Sequence, residues 1–399
     1  MLTHLLIAAM VAAGTSAIAS LVIIISQRWH GKLSLDHDLE GVQKFHARAV
    51  PRIGGIAIIT AISLTLLFSY CFTGDLLSVS AFSAAVLLLC AGLPAFVAGV
   101  TEDLTKRVSV KARLLASLGS ALLASWLLGA TIDKLDIWGL DALLTWAPLA
   151  LVVTAVAVAG GVNAINIIDG FNGLAGSTVT IMLAALGILA WNVGDELVAQ
   201  LAVVGLGATA GFLFMNYPSG RLFLGDGGAY FLGFWVAEIV VLLLVRDTSI
   251  SAWQVLAICA YPVIEVLFSI YRRQYLRQGD PVAPDGLHLH TLVFRRVVSR
   301  FIADTDHPWK RNAAVACVIV PWVALGASLS LVFGDTTPSA MLIVFGQVLA
   351  YIAIYRRVVR GRWTARQNTD VLSSDEVHAN DCTGRVALSP AIRHDGHPL

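Results

Sequence analysis

The chain is 399 residues long, 57% hydrophobic and only 13% charged, with a mean hydropathy of +0.77 and a formal net charge of +1 at pH 7. Such a composition excludes an ordinary soluble domain and predicts an all-α polytopic membrane protein. The five cysteines show neither a disulfide framework nor zinc-type spacing, and no nucleic-acid partner is expected.

Apolar runs long enough to cross a bilayer predict about eleven spans, near 2–26, 53–73, 79–100, 112–130, 146–165, 173–191, 197–216, 229–245, 252–271, 312–333 and 339–355. Residues 1–26 read as the first helix and not as a signal peptide, since no basic leading region and no small-residue cleavage site accompany them. Of the 27 Lys and Arg, all but Lys134 and Arg246 fall in alternate loops and the tail. Cations concentrate on the cytoplasmic side, so the predicted topology is N-out and C-in. Residues 1–356 form one multi-span domain on this reading. Residues 357–399, polar and without apolar periodicity, form a disordered cytoplasmic tail.

In chain order, the unusual chemistry begins in the first inward loop with Lys44-Phe-His46-Ala-Arg48-Ala-Val-Pro51-Arg52-Ile-Gly54-Gly55, basic residues followed by paired glycines at a helix start. The next inward loop opens with Glu102-Asp103, hard oxygen ligands of the kind Mg²⁺ takes. A central segment follows, Asn163-Ala-Ile-Asn166-Ile-Ile-Asp169-Gly170-Phe-Asn172-Gly173-Leu-Ala-Gly176. On a helix the steps from Asn163 to Asn166 to Asp169 each turn about 300°, so these side chains share an arc of roughly 120°. The glycines after them allow a sharp turn and close approach of backbone N–H groups to an anion.

Between the seventh and eighth spans, Phe223-Leu-Gly225-Asp226-Gly227-Gly228 frames a carboxylate with glycines. The long inward loop carries Asp285-Gly-Leu-His288-Leu-His290-Thr291, then Arg295 and Arg296, groups able to bind phosphate oxygens. Within the spans the acidic residues are Glu238 and Glu265, each costing about 3 kcal/mol near mid-bilayer on insertion scales. Glu265 follows Pro262, which places it in either a kinked, wet interior or a pocket of neighbouring polar groups. Each motif alone has a plain alternative. A basic loop touches anionic lipid, an acidic pair ends a solvated helix, and a Gly-Asp-Gly-Gly string makes a turn.

Taken together, in this order, the motifs resemble the polyprenyl-phosphate N-acetylhexosamine-1-phosphate transferase family, also called glycosyl transferase family 4. The resemblance covers roughly residues 30–300. It implies a cytoplasm-facing site in the bacterial inner membrane. There a sugar 1-phosphate passes from a UDP-sugar to polyprenyl (undecaprenyl) phosphate, UMP is released, and a lipid-linked glycan such as O-antigen begins. It further implies Mg²⁺, with Mn²⁺ as a substitute, held by Asp226, Asn166 and Asp103, and catalytic roles for Glu102, Asp103, Asp169 and Asp226. Substrate binding falls to Lys44, His46, Arg52, Asn163, Asn166, Asn172, Phe223 (stacking on the base), His288, His290 and Arg295, and a homodimer is admissible. Three positions depart from the family pattern: Glu102 stands for the usual Asp, Asn172 for a frequent second Asp, and Thr291 for a frequent His.

Two other classes compete. A transporter or ion-coupled channel would use the intramembrane acids, but the polar motifs gather on one side and no inverted repeat is visible. A CDP-alcohol phosphotransferase needs an Asp series that is missing after Asp169-Gly170.

Overall fold

The computed structural model describes residues 2–36, 49–73, 76–276, 286–302 and 308–361. The chain is a bundle of helices: α1 (Leu2–Ser34), α2 (Gly54–Phe68), α3 (Val79–Thr105), α4 (Val110–Leu128), the short α5 (Leu140–Leu144), α6 (Ala147–Ile168), α7 (Leu174–Asn192) and α8 (Glu196–Asn216). It continues with α9 (Gly225–Arg246), α10 (Ala252–Ile258), α11 (Ala260–Tyr271), the single turns α12 (Leu289–Val293) and α13 (Ser299–Phe301), α14 (Pro308–Phe333) and α15 (Thr337–Val359). Among the described residues ten helices are long and apolar enough to cross a membrane, and α10 with α11, apolar together and bent by 87°, forms either an eleventh, broken span or a re-entrant loop. Ten or eleven spans thus match the eleven predicted. The proposed tail lies almost wholly outside the described residues.

Helix limits follow local chemistry. Ser78, Ser109, Asp195, Ser251 and Thr336 cap α3, α4, α8, α10 and α15 by accepting a backbone N–H, which satisfies a donor that has no partner within the helix. The span predicted as 252–271 is broken at Cys259. Pro262 has no N–H for the carbonyl of Ile258, and the carbonyl of Ala257 accepts instead from Gln347 Nε2 of α15 at 3.0 Å.

Small residues set the packing, because apolar helices in lipid associate through close backbone contact. Gly207 and Gly211 of α8 lie against the carbonyls of Ala9 and Ala13 of α1, and Gly233 of α9 against Val162 of α6. Gly99 of α3 touches Gly227 of α9. The most enclosed span, α9, is thereby flanked by α3, α4 and α6 to α8. The segment before α2 pairs with the segment before α9: Phe223 N donates to Pro51 O (2.9 Å), Gly54 N to Phe223 O (2.9 Å) and Gly55 N to Leu224 O (3.1 Å). These contacts bring one end of α2, α3, α4, α6 and α9 together.

Candidate active site

The site grows from the junction of α3 and α9. Asp103, buried in the last turn of α3, accepts from the N–H groups of Asp226 (3.0 Å) and Gly227 (2.9 Å), so it caps the start of α9. Gly225, at φ +73°, makes the turn that admits this approach, and a side chain there would strike the carbonyl of Arg52. Held this way, Asp226 aims its carboxylate outward. Oδ1 lies 3.2 Å from Asn166 Nδ2 of α6, and Oδ2 lies 2.7 Å from Arg113 Nη1 of α4.

Arg52 spans the carboxylates. Its guanidinium stands 3.6 Å from an oxygen of each of Asp36, Asp103 and Asp226, and Asp36 also holds Lys106 at 3.1 Å. Burial works against the charge on Arg52, but the surrounding carboxylates, Asp103 and Asp226 foremost, outweigh it and raise its pKa. Asp169 follows the end of α6. Burial pushes its carboxyl well above the ordinary range, Arg52 opposes that shift, and the charges of Asp226 and Asp103 reinforce it.

The histidine loop approaches from the other side. His288 and His290 are buried and stack face to face, ring centroids 5.2 Å apart at 7°. His290 meets Phe171 edge-on at 5.7 Å, and its Nε2 is the atom nearest to where a Cβ on Gly170 would sit, at 3.5 Å. Glu265 takes the pocket of polar groups and not a wet interior. It is fully buried, 3.0 Å from His288 Nδ1, and accepts from Leu289 N–H. Neither oxygen of Glu238 has a hydrogen-bond partner among the described residues.

The geometry separates the sequence candidates. Asp103, Asn166, Asp169, Asp226 and Arg52 converge, and His288 and His290 flank them. Glu102 turns away to accept from Val108 N–H at 2.8 Å, closing the loop after α3. Asn163 is exposed on α6. Asn172 is buried between loops: its N–H donates to Asn312 Oδ1 (2.6 Å) and its Nδ2 to Pro218 O (3.1 Å). Phe223 is half-buried, with its backbone pairing to the segment before α2, and Arg295 is exposed. Lys44 and His46 lie outside the described residues.

Three residues at the site were not singled out from sequence. Arg113 passed for an ordinary loop cation, although it stands in the first turn of α4 four residues after the cap Ser109. Asp36 lies at the end of α1, and Asn312 belongs to α14, where no motif marked it.

No group of three or more His, Cys, Asp or Glu able to hold a metal occurs among the described residues. The donor set still fits a hard divalent cation. Mg²⁺ keeps water and substrate phosphate ligands and takes only one or two carboxylates, and the Asp226 carboxylate, with the Asn166 amide next to it, stands beside two positively charged arginines. Both oxygens of Asp103 already accept N–H groups, so it serves to place Asp226.

An apolar groove of about 550 Å³ is lined by α6 (Gly161, Ile165), α9 (Gly233, Val240) and the broken span (Val263, Leu267), and reaches Ile137 at the far end of the bundle. The two helices that carry Asn166 and Asp226 also wall this groove.

Residues 85–244 match the model of glycosyl transferase family 4. The chain is 27% identical over 317 residues, 78% of its length and 82% of the relative's, to a probable undecaprenyl-phosphate N-acetylglucosaminyl 1-phosphate transferase of Bacillus subtilis (strain 168). It is 28% identical over 269 residues, 65% of this chain and 69% of the other, to the undecaprenyl-phosphate alpha-N-acetylglucosaminyl 1-phosphate transferase of Escherichia coli (strain K12). The enzyme of that name from Salmonella typhi is 26% identical over 338 residues, 82% of this chain and 84% of its own. In the matched segment, in these relatives and in the order of its motifs, the chain is similar to glycosyl transferase family 4.

Proposed function

We propose that the protein transfers a sugar 1-phosphate, of N-acetylhexosamine type, from a UDP-sugar to polyprenyl phosphate. UMP leaves, and the lipid-linked product starts a cell-envelope glycan such as O-antigen. One observation carries this: α6 and α9, which bring Asn166 and Asp226 to the cluster of arginines and carboxylates, also wall an apolar groove. A substrate with an anionic head and a long apolar chain matches that juxtaposition. The names of the relatives make N-acetylglucosamine the first sugar to try.

In the proposed step an oxygen of the lipid phosphate forms a bond to the β-phosphorus of the UDP-sugar. The bond from that phosphorus to the bridging oxygen breaks, and the electron pair and negative charge leave with UMP. Phosphoryl transfer is promoted chiefly by positioning and by neutralising charge on the non-bridging oxygens. Arg52, Arg113 and Lys106 bring positive charge to the mouth of the site, and Asp103 holds Asp226 in place. Bound Mg²⁺, on Asp226 and Asn166, would supply further neutralisation of phosphate charge. The lipid phosphate is already largely ionised at neutral pH, so no side chain is needed to deprotonate it.

The test is direct. Purified protein with undecaprenyl phosphate should move label from at least one radiolabelled UDP-N-acetyl sugar into the lipid phase, releasing UMP in equal amount. No transfer from any UDP-sugar in the panel would overturn the proposal. An ion-conducting alternative has little support, since Glu265 and Glu238 are both sealed within protein.

A further inference from the structure

Glu265 is the acid of α11, the longer arm of the broken span, and the reaction proposed above does not use it. It is fully buried, and its surroundings are unusually polar for a bilayer-spanning segment. Oε1 lies 3.0 Å from His288 Nδ1, while Leu289 N–H reaches Oε1 at 3.1 Å and Oε2 at 3.3 Å. Ser269 Oγ is 3.1 Å from the same His288 nitrogen and accepts from Arg272 Nη2 at 3.3 Å. Arg272, also buried, donates through Nη1 to Leu287 O (2.6 Å) and Tyr355 Oη (2.8 Å). The end of α11, the turn after it, the histidine loop and α15 are thus joined by one network.

A carboxylate in this place is costly, because removing a charge from water takes several kcal/mol even when a partner is present. Satisfying Leu289 N–H alone would not require it, since a neutral amide oxygen does as well. What a carboxylate adds is chemistry at His288. An ionised carboxylate only accepts, so the hydrogen it meets on His288 must sit on Nδ1. That fixes the ring tautomer and the plane of the imidazole. The flat stack of His288 on His290 carries this orientation to the ring that faces Gly170, the neighbour of Asp169.

We propose that Glu265 is a positioning residue: it forms a carboxylate–imidazole dyad with His288 that fixes the ring tautomer and holds the His288–His290 pair in its orientation toward a substrate phosphate. The inference rests on the transferase reading for the identity of the anion, but not for the dyad itself.

Two measurements test it. In protein labelled with [13C]histidine, the Cδ2 shift of His288, assigned by its loss in His288→Gln, should report hydrogen on Nδ1 in the wild type. Glu265→Gln, whose amide N–H can turn toward Nδ1, should shift the ring to the opposite tautomer. An Nε2-H neutral ring in the wild type, or an unchanged ring in Glu265→Gln, overturns the dyad whether or not the protein transfers sugar phosphate.

With UDP-sugar as varied substrate, Glu265→Gln should lower kcat/KM at least tenfold, and Glu265→Asp should recover part of that loss. In a His288→Gln background, Glu265→Gln should add less than a twofold loss, because its effect runs through His288. An undiminished loss in that background, or wild-type kcat/KM in Glu265→Gln, overturns the positioning role. Should Glu265→Gln not fold, the wild-type tautomer and the same cycle run with Glu265→Asp decide it.

Discussion

Asp226 is where the local geometry converges, with Asp103 behind it, Asn166 and Arg113 at its two oxygens and Arg52 alongside. Asp226→Asn keeps the shape and the hydrogen-bond acceptor but removes the charge, so turnover measured as UMP release should fall by about two to three orders of magnitude. Its thermal unfolding midpoint in detergent should stay near that of the wild type; retained activity would place the chemistry elsewhere. Asp169 makes a second prediction with a definite sign. Its folded pKa is raised, burial being the main cause, so the neutral form suits the fold better than the anion. The stability it lends is complete below about pH 4, the ordinary carboxylate range, and is lost as pH rises through the elevated folded value. Asp169→Asn, in EDTA-treated protein, should therefore raise the unfolding midpoint at pH 8 relative to the wild type, and the difference should shrink toward pH 5. A variant less stable at pH 8 would contradict this. The acids were legible in the sequence because carboxylates and glycines at the ends of apolar runs stand out chemically. Arg113 and Asp36 were not, since a cation or an acid near a span end looks like ordinary loop charge until the tertiary structure gives it a partner.

Whole helices carry a different kind of information. Lengths and apolarity sufficed to place the ten long apolar helices, because the bilayer imposes one requirement on every crossing. The break at Cys259 was beyond that reach: Pro262 announces a kink, but the size of the 87° bend, and the hydrogen bond from Gln347 of α15, ninety positions away, to the carbonyl of Ala257 at the break, belong to the tertiary structure. Glycine spacing in α8 is an element-scale feature that the structure explains and the sequence left unweighed. Since Gly207 and Gly211 abut backbone carbonyls of α1, a side chain at position 211 must push α1 away. Gly211→Leu is expected to cost about 1–3 kcal/mol, seen as a lower unfolding midpoint in detergent. Gly14→Ala, on α1 with nothing within 4 Å of the added carbon, should be neutral or slightly stabilising, as Ala is the better helix former. Equal midpoints for the two variants would show that the α1–α8 contact contributes little.

At the scale of the molecule, the proposal requires that the end of the bundle carrying Asp103, Asp169, Asp226, Arg52 and the histidine pair face the cytoplasm, where nucleotide sugars are made. Charge is the argument for that orientation. Among the described residues Arg52, Lys106, Arg107 and Arg113 stand at the site end while Lys134 and Arg246 lie at the other, and cations are retained on the cytoplasmic side during insertion. The far end instead exposes Trp138 beside the short helix α5, an amphipathic ring of the type enriched at the membrane–water boundary. In a background with the five cysteines replaced, single cysteines at 138 and 249 should react with an impermeant maleimide in intact cells. Cysteines at 107 and 300 should react only after the membrane is opened. Because Arg107 follows the turn that closes α3 just beyond Asp103, its side of the membrane is the side of the site. Labelling at 107 in intact cells would put the carboxylate cluster outside, away from any cytoplasmic UDP-sugar, and the transferase proposal would fail even with every distance in the site unchanged.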